Sequence, residues 1–229
     1  MKKLTVTTSF HQRLWGWIYM GFQLLFLPLL LYVCNIFFHL NFSDAEINFI
    51  FFALNFISVT IIFHRFLLKN GANALQRPLF VLLNALGGYF VYVFASNIIS
   101  IFIMSVYPNF YNVNDSTIAT MVSDNFTIMF VGTVILVPVV EETLYRGLIF
   151  GSIYNKNRVI AYIISTLAFA VLHVYGYIGT YPPVQLLLCL LEYIPAGICL
   201  AWAYARTDSI WTPILIHMAV NAIAVSAMR

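Results

Sequence analysis

Six residues that can do acid–base or hydrogen-bonding chemistry stand inside three strongly apolar stretches of the chain. They are Glu141, Glu142 and Arg146 in V-V-E-E-T-L-Y-R-G, His173 in F-A-V-L-H, and His217 and Asn221 in H-M-A-V-N. Ionisable groups at membrane depth are energetically costly, so they are usually paired, turned toward the interior of a bundle, or functional. A carboxylate, two imidazoles and an amide from three segments are the components of a reactive centre.

Four of these residues can hydrolyse a peptide bond if they converge. Glu141 and His173 can hold one water between them and remove its proton, which turns the water into a nucleophile for a peptide carbonyl. His217 and Asn221 are four positions apart, so a helix presents both from one face. These two side chains can donate hydrogen bonds to the oxyanion that develops during attack.

Glu142 and Arg146 are predicted to support the reactive set. They are also four positions apart, so they share a helix face and can form an ion pair. Since each residue of a helix is rotated by about 100° from the last, Glu141 then points to a different side. If the helices that carry Glu141 and His173 form an antiparallel hairpin turning near residue 157, these two side chains lie at equal depth.

A zinc site is the alternative use of the same atoms. Glu141, His173 and His217 could ligate zinc and leave a fourth position for water. The chain contains no H-E-x-x-H motif, and the Asn221 amide is a poor zinc ligand, so the sequence favours a reaction without a cofactor. The G-x-S-x-G elbow of many serine hydrolases is also absent from the sequence.

The elements that position these residues must be membrane helices. Of the 229 residues, 62% are hydrophobic and 8% are charged, whereas an ordinary soluble domain has about 25% charged residues. We therefore expect an all-α, polytopic transmembrane bundle that forms one integral membrane domain over residues 1–229. Its N-terminal helical half, 1–124, is less diagnostic, and 125–229 holds the catalytic helices. Seven apolar stretches approach or exceed the ~20 residues needed to span a bilayer: 14–39, 46–68, 79–106, 125–150, 159–178, 183–204 and 209–228.

The basic residues predict which face of the bundle lies in the cytoplasm. Every Lys and Arg except the terminal Arg229 falls before the first span, or in or beside the links between spans two and three, four and five, and six and seven. The charged residues in or beside the opposite links are all Asp or Glu. By the positive-inside rule the N-terminus is cytoplasmic. The net charge of +3 follows this topology, so no nucleic-acid partner is expected.

Three further polar or irregular features bear on the site, and two of them allow more than one interpretation. The link 107–124 is rich in Asn, Ser, Asp and Tyr, and it is either a plain solvated loop or a cover over a site. Glu192 in the sixth predicted span is either a satisfied structural carboxylate or one that faces a watery cavity. Pro138 lies one turn before Glu141, where it removes a helical hydrogen bond and can kink the fourth span.

The three motifs, in this order and on separate helices, resemble those of a known family. E-E-T-L-Y-R, F-A-V-L-H and H-M-A-V-N are similar to the E-E-x-x-x-R, F-x-x-x-H and H-x-x-x-N motifs of the CPBP intramembrane endopeptidases. That family includes type II CAAX prenyl proteases and bacteriocin-processing or bacteriocin-immunity proteins. The resemblance covers about residues 135–225. It implies that Glu141 and His173 activate water and that His217 and Asn221 bind the oxyanion. It also implies that Glu142 and Arg146 are accessory residues.

The sequence thus predicts a glutamate-type intramembrane protease in a bacterial cell membrane, acting on a peptide or protein substrate within the lipid bilayer. A non-catalytic bacteriocin-immunity or peptide-binding membrane protein of the same fold is the first alternative. A transporter with buried carboxylates as relay groups is the second, although the chain shows no inverted repeat. The sequence does not specify the substrate or whether it is prenylated.

Overall fold

The computed structural model describes residues 3–229, and nearly all of them are helical. The all-α fold predicted from the sequence is confirmed. A short 3₁₀ turn, Tyr175–Tyr177, follows the seventh helix. The helices of the described chain are α1 (Phe10–Leu25), α2 (Leu27–Phe37), α3 (Asp44–Leu75), α4 (Pro78–Val106), α5 (Val113–Asp124), α6 (Phe126–Tyr154), α7 (Arg158–Leu172), α8 (Pro183–Thr207) and α9 (Trp211–Ala227).

The lengths of these helices make the chain a multi-pass membrane protein. Within residues 3–229, α3, α4, α6 and α8 are long and apolar enough to cross a bilayer, and α1 with α2 gives a fifth span if their 45° bend lies within one crossing. The apolar helices α7 and α9 have 15 and 17 residues, which is shorter than the ~20 residues of a full span. The predicted count of seven spans is therefore not confirmed.

The predicted fifth span, 159–178, extends too far. Its helix, α7, ends at Leu172, and the sequence that follows contains two glycines and one proline before α8 begins. Gly179 has a φ of +87°, a left-handed conformation that glycine adopts readily and that a helix cannot contain. His173 consequently caps the end of α7 and does not lie within a helix.

Serine caps determine where α1 and α3 begin. Ser9 Oγ accepts a hydrogen bond from Gln12 N at 3.3 Å, and Gln12 Oε1 accepts one from Ser9 N at 3.0 Å. Ser43 and Glu46 form the same reciprocal pair at the start of α3. Such capping boxes satisfy N–H groups that a helix leaves without internal partners, which matters where lipid offers no acceptor.

The N-terminal segment fastens two distant links to each other. Leu4 N donates to Asn155 Oδ1 at 2.9 Å, and Asn155 Nδ2 donates back to Leu4 O at 3.0 Å. Thr5 binds the Asp208 carboxylate through both its backbone N–H and its hydroxyl. The link between α6 and α7 and the link between α8 and α9 therefore lie on one face of the bundle.

The link between α3 and α4 lies on that same face, because Arg77 donates to Thr207 O at 3.3 Å. The links that carry the basic residues thus share one side, as the charge pattern requires. That this side faces the cytoplasm stays a prediction. Lys2, which contributed to the orientation argument, lies outside the described residues.

Helix α6 is surrounded by other helices and is wound irregularly around Glu141. Val131–Leu136 and Glu142–Phe150 have π-helical hydrogen bonding, and the short α-helical segment Val137–Glu141 separates them. Pro138 near the start of that segment has no N–H to donate. Every residue of Glu142–Phe150 is buried. Since π segments are rare and concentrate at functional sites, the irregular winding marks this part of α6 as a candidate site.

Gly197 allows α7 and α8 to approach closely. A Cβ added at position 197 would lie 2.6 Å from Thr166 Cγ2 and 3.0 Å from Thr166 Cα. Small residues permit such contacts in membranes, where helix association depends on close packing. The approach also places the Ala196 and Gly197 carbonyl oxygens 3.4 Å from Arg146 Nη2.

Gly197→Ala should destabilise the protein by about 1–3 kcal/mol, because the added methyl group collides with the Thr166 backbone and pushes α7 and α8 apart. Unfolding in detergent, followed by circular dichroism, measures this. Gly87→Ala in α4 is the matched control, because no atom lies within 4 Å of a Cβ at that position. Equal stability of the two variants would show that the close contact is dispensable.

Candidate active site

The four residues predicted to react line one cavity inside the bundle. Glu141 belongs to α6, His173 follows the last residue of α7, and His217 and Asn221 belong to α9. The cavity has a volume of about 290 Å³, which is at the lower end of the range for ligand pockets. Residues of α1, α3 and α5 complete its wall. The fold therefore brings the three motifs together around one space.

The predicted accessory pair is completely buried. Arg146 Nη1 donates to Glu142 Oε1 at 3.0 Å, and both side chains have 0% exposure. His217 Nδ1 lies 2.9 Å from the same Glu142 oxygen. The Arg146 guanidinium also lies 4.2 Å from the centre of the Phe169 ring, within the range of a cation–π contact. Glu142 thus connects the cation of α6 to the imidazole of α9, a contact that the sequence motifs did not predict.

Glu141 faces the cavity and takes no part in the ion pair with Arg146. Its Oε2 lies 4.0 Å from His217 Nε2, and its side chain is 15% exposed. Among residues 3–229, Oε2 has no hydrogen-bond partner. Buried polar atoms of native proteins are nearly always paired, so an exception of this kind in a cavity requires an explanation. The carboxylate can accept a proton or a hydrogen bond from a bound molecule.

His173 is held in the tautomer that a general base requires. Its Nδ1 lies 2.9 Å from Phe169 O, and since a carbonyl oxygen only accepts, Nδ1 carries the hydrogen and Nε2 holds the lone pair. The imidazole stacks on Tyr193 with ring centres 4.1 Å apart and planes at 22°. The backbone of α7 and a ring of α8 together fix the orientation of this side chain.

His217 and Asn221, the predicted oxyanion donors, are both engaged by protein groups. Because Glu142 occupies Nδ1 of His217, Nε2 can donate a hydrogen bond only when the ring is doubly protonated. Asn221 Nδ2 donates to Thr133 O at 2.9 Å. The amide has a second hydrogen on the same nitrogen, so it can still bind an oxyanion. The donor role of His217 therefore requires the imidazolium form, between the carboxylates of Glu141 and Glu142.

The residues that could hold zinc do not form a ready-made metal site. In the described part of the chain, no three His, Cys, Asp or Glu side chains are grouped so as to hold a metal ion. Glu141, His173 and His217 share the cavity wall. Both imidazoles are held through Nδ1, by Glu142 and by the Phe169 carbonyl, which is also how zinc-binding histidines are commonly oriented. No catalytic step through a metal is derived below.

Helix α5 lies at the cavity, and Tyr193 of α8 connects it to His173. The link 107–124 is largely this helix, and both Asn114 and Asp115 line the cavity. The Tyr193 hydroxyl donates to Asp115 Oδ1 at 3.0 Å and accepts from Asn114 Nδ2 at 3.2 Å. Of the two interpretations left open by the sequence, the structure favours a cover. Sequence reasoning missed Tyr193, because its partners in α5 lie 78 and 79 positions earlier in the chain.

Glu192, adjacent to Tyr193 in the sequence, is a satisfied carboxylate. Its Oε1 accepts from Ser100 Oγ at 3.0 Å, and its Oε2 accepts from Asn112 Nδ2 at 2.8 Å. Asn112 in turn caps the first turn of α5 by accepting from Asn114 N and Asp115 N. The structural interpretation of Glu192 fits these contacts, and they fasten the start of α5 to α4 and α8.

Tyr193→Phe should loosen α5 while the ring stack on His173 persists. The hydroxyl contacts to α5 are lost, so amide hydrogens of 113–124 should exchange about 3- to 10-fold faster, the equivalent of roughly one hydrogen bond. Hydrogen exchange with mass spectrometry in detergent measures this. Tyr32→Phe, which alters an exposed ring of α2, is the control. Unchanged exchange in Tyr193→Phe would mean that other contacts hold α5.

The fold and the site together define a class: a multi-pass helical membrane protein with a buried Glu, His and Asn site in its C-terminal half. Residues 123–223 match the family model described as type II CAAX prenyl endopeptidase Rce1-like. The resemblance seen in the three motifs is thereby confirmed over this segment. The matched segment includes α6 to α8 and most of α9.

Two bacterial relatives are similar to part of the chain. YdiL of Bacillus subtilis (strain 168), described as a candidate membrane peptidase, is 34% identical over 99 residues, which are 43% of this chain and 36% of that protein. The UPF0177 protein YxdF of Lactococcus lactis subsp. lactis (strain IL1403) is 34% identical over 95 residues, which are 42% of this chain and 47% of that protein. The chain thus covers less than half the length of each relative. No solved structure matches it.

Proposed function

We propose that this chain is an intramembrane endopeptidase that hydrolyses peptide bonds with a water activated by Glu141 and His173. The observation that carries the proposal is that both side chains, with His217 and Asn221, line one cavity in a helical membrane bundle. The family match over residues 123–223 supports the same activity. The partners implied are a peptide or protein substrate and the lipid bilayer.

In the first step a water bound between Glu141 and His173 loses a proton to one of them. Glu141 offers a carboxylate oxygen without a protein donor, and His173 offers the lone pair of Nε2. The oxygen of the water forms a bond to the carbonyl carbon of the substrate, and the carbonyl π electrons move onto its oxygen. A positioned base of this kind contributes about 10²- to 10⁴-fold to the rate.

In the second step the tetrahedral intermediate collapses and the C–N bond breaks. The proton taken from water passes to the leaving nitrogen, so the products are a carboxylic acid and an amine. The oxyanion is stabilised meanwhile by His217 as an imidazolium and by the second N–H of Asn221. Donors fixed in place before the reaction stabilise the transition state without reorganising during it.

Glu142 and Arg146 support this chemistry without touching the substrate. The carboxylate of Glu142 holds His217 by Nδ1 at 2.9 Å, which directs Nε2 toward Glu141. Arg146 neutralises Glu142, so the negative charge next to the imidazole is partly balanced. Support from packed groups of this kind keeps reacting side chains within a fraction of an ångström of their working positions.

Glu141→Gln and His173→Ala should each lower peptide cleavage at least 10²-fold, since each removes a group that takes a proton from water. Purified protein in liposomes, mixed with a peptide library and analysed by mass spectrometry, provides the measurement. Glu46→Gln is the matched control, because glutamine also serves in the capping box at the start of α3. Its cleavage rate should equal that of the wild type.

Full cleavage by both variants would contradict the proposal. If the wild type cuts no peptide but still binds peptides, the chain is a peptide-binding or immunity protein of the same fold. Circular dichroism of each variant separates lost catalysis from lost folding. Flux of protons or solutes through the same liposomes would instead support a transporter.

Cleavage should also persist in the presence of a strong zinc chelator, because the proposed mechanism uses no metal ion. Protein is purified with and without chelator. The two preparations are compared for their rate of peptide cleavage and, by elemental analysis, for their content of bound zinc. Loss of activity that zinc alone restores, together with one zinc per chain, would establish the metallopeptidase alternative.

A further inference from the structure

Gln23 of α1 is a buried amide that faces the cavity without a protein partner. Its side chain is 5% exposed and belongs to the cavity wall. Across residues 3–229 its carboxamide makes no hydrogen bond. No contact with the protein accounts for the amide at this position, so it can bind water or a ligand in the cavity.

Other buried amides of the N-terminal half are fully engaged, which makes Gln23 an exception. Asn55 accepts from Tyr19 Oη at 2.9 Å and donates to Phe51 O at 2.8 Å. Asn70 likewise donates to a backbone carbonyl and accepts from a backbone N–H. The fold can therefore satisfy buried amides in these helices, including Asn55, which also lines the cavity, whereas Gln23 has no protein partner.

Thr133 of α6 is a second cavity-lining group with unused capacity. Its Oγ1 is buried and has no partner among the described residues, although its carbonyl oxygen accepts from Asn221. Gln23 and Thr133 each offer at least one donor and one acceptor. Paired donors and acceptors are what a peptide backbone needs, because each residue brings one N–H and one C=O.

The charged residues that line the cavity indicate which part of a peptide fits there. The only carboxylates among its described residues are Asp115 and Glu141, and none of those residues is Lys or Arg. A free C-terminal carboxylate would find no Lys or Arg there, and His217 already lies between the carboxylates of Glu141 and Glu142. An internal stretch of backbone is neutral and therefore suits this wall.

We propose that Gln23, assisted by Thr133, binds the backbone of an internal segment of an extended peptide substrate. The inference rests on the proposed endopeptidase function and adds a substrate-binding role for α1, which lies outside the segment matched by the family model. Gln23 contacts the backbone and not a side chain, so it sets where the peptide lies and does not select its sequence.

The test measures peptide affinity and not cleavage, and it uses the full-length Glu141→Gln protein in detergent micelles. Fluorescent peptides are first chosen because they bind this protein. Each is then compared with analogues in which one backbone amide is replaced by an ester, which removes one N–H at a time. One ester position should weaken binding about 3- to 10-fold. In the Gln23→Met background the parent peptide should bind equally weakly, and the ester should have no further effect.

Gln185→Met is the matched control, because Gln185 is equally buried but donates to Tyr111 O and does not line the cavity. It should lower thermal stability and leave the ester effect intact. Gln23→Met should keep or raise thermal stability, since it removes an unpaired amide. A fall in stability without a change in affinity would assign Gln23 to the structure and overturn the inference.

The two proposals fail in different ways. If the wild type cleaves peptides but peptide binding does not depend on Gln23, the inference is overturned and the endopeptidase function stands. Gln23-dependent binding without any cleavage overturns the endopeptidase function and keeps Gln23 as a peptide-binding residue. Binding of free carboxylate ends in preference to internal segments, or of no peptide at all, also overturns the inference.

Discussion

Two opposite charges lie fully buried at the centre of this lipid-embedded bundle, and their pairing constrains the helices around them. Glu142 and Arg146 have no exposure to solvent. Removing one partner of a buried ion pair typically costs about 3–5 kcal/mol. The pair also takes hydrogen bonds from α9, through His217, and gives them to α8, at the carbonyls of Ala196 and Gly197. Helices α6, α8 and α9 cannot shift independently without breaking a bond to a buried charge.

The buried Glu142–Arg146 pair also positions the residues that are proposed to react. His217 is held on one side by Glu142, and its other ring nitrogen lies 4.0 Å from Glu141. His173 is fixed separately by the backbone of α7 and by the ring of Tyr193. Both imidazoles are thus oriented by groups that keep their own protonation state. Fixed surroundings of this kind favour catalysis because little reorganisation accompanies the reaction.

The sequence predicted the parts of this site that depend on local spacing. The Glu142–Arg146 pair follows from a separation of four on one helix, and the helical fold follows from composition. The contact of His217 with Glu142 joins residues 75 positions apart, and spacing within a motif carries no information on it. The span count was uncertain for a similar reason, since hydropathy does not show where Leu172 ends α7. Gln23 was missed because one amide in an apolar run gives no periodic signal.

The contacts of the N-terminal segment have a consequence for how the chain is assembled. Leu4 and Thr5 bond to partners 151 and 203 positions later, and Tyr204 Oη donates to Val6 O, 198 positions back. Synthesis runs from the N-terminal to the C-terminal end, so Leu4 can bond once Asn155 has been made, whereas Thr5 and Val6 lack their partners until α8 is complete. A nascent chain halted before α8 could therefore hold residues 4–6 only through Asn155, and the complete attachment of this early segment depends on α8 and the residue that follows it.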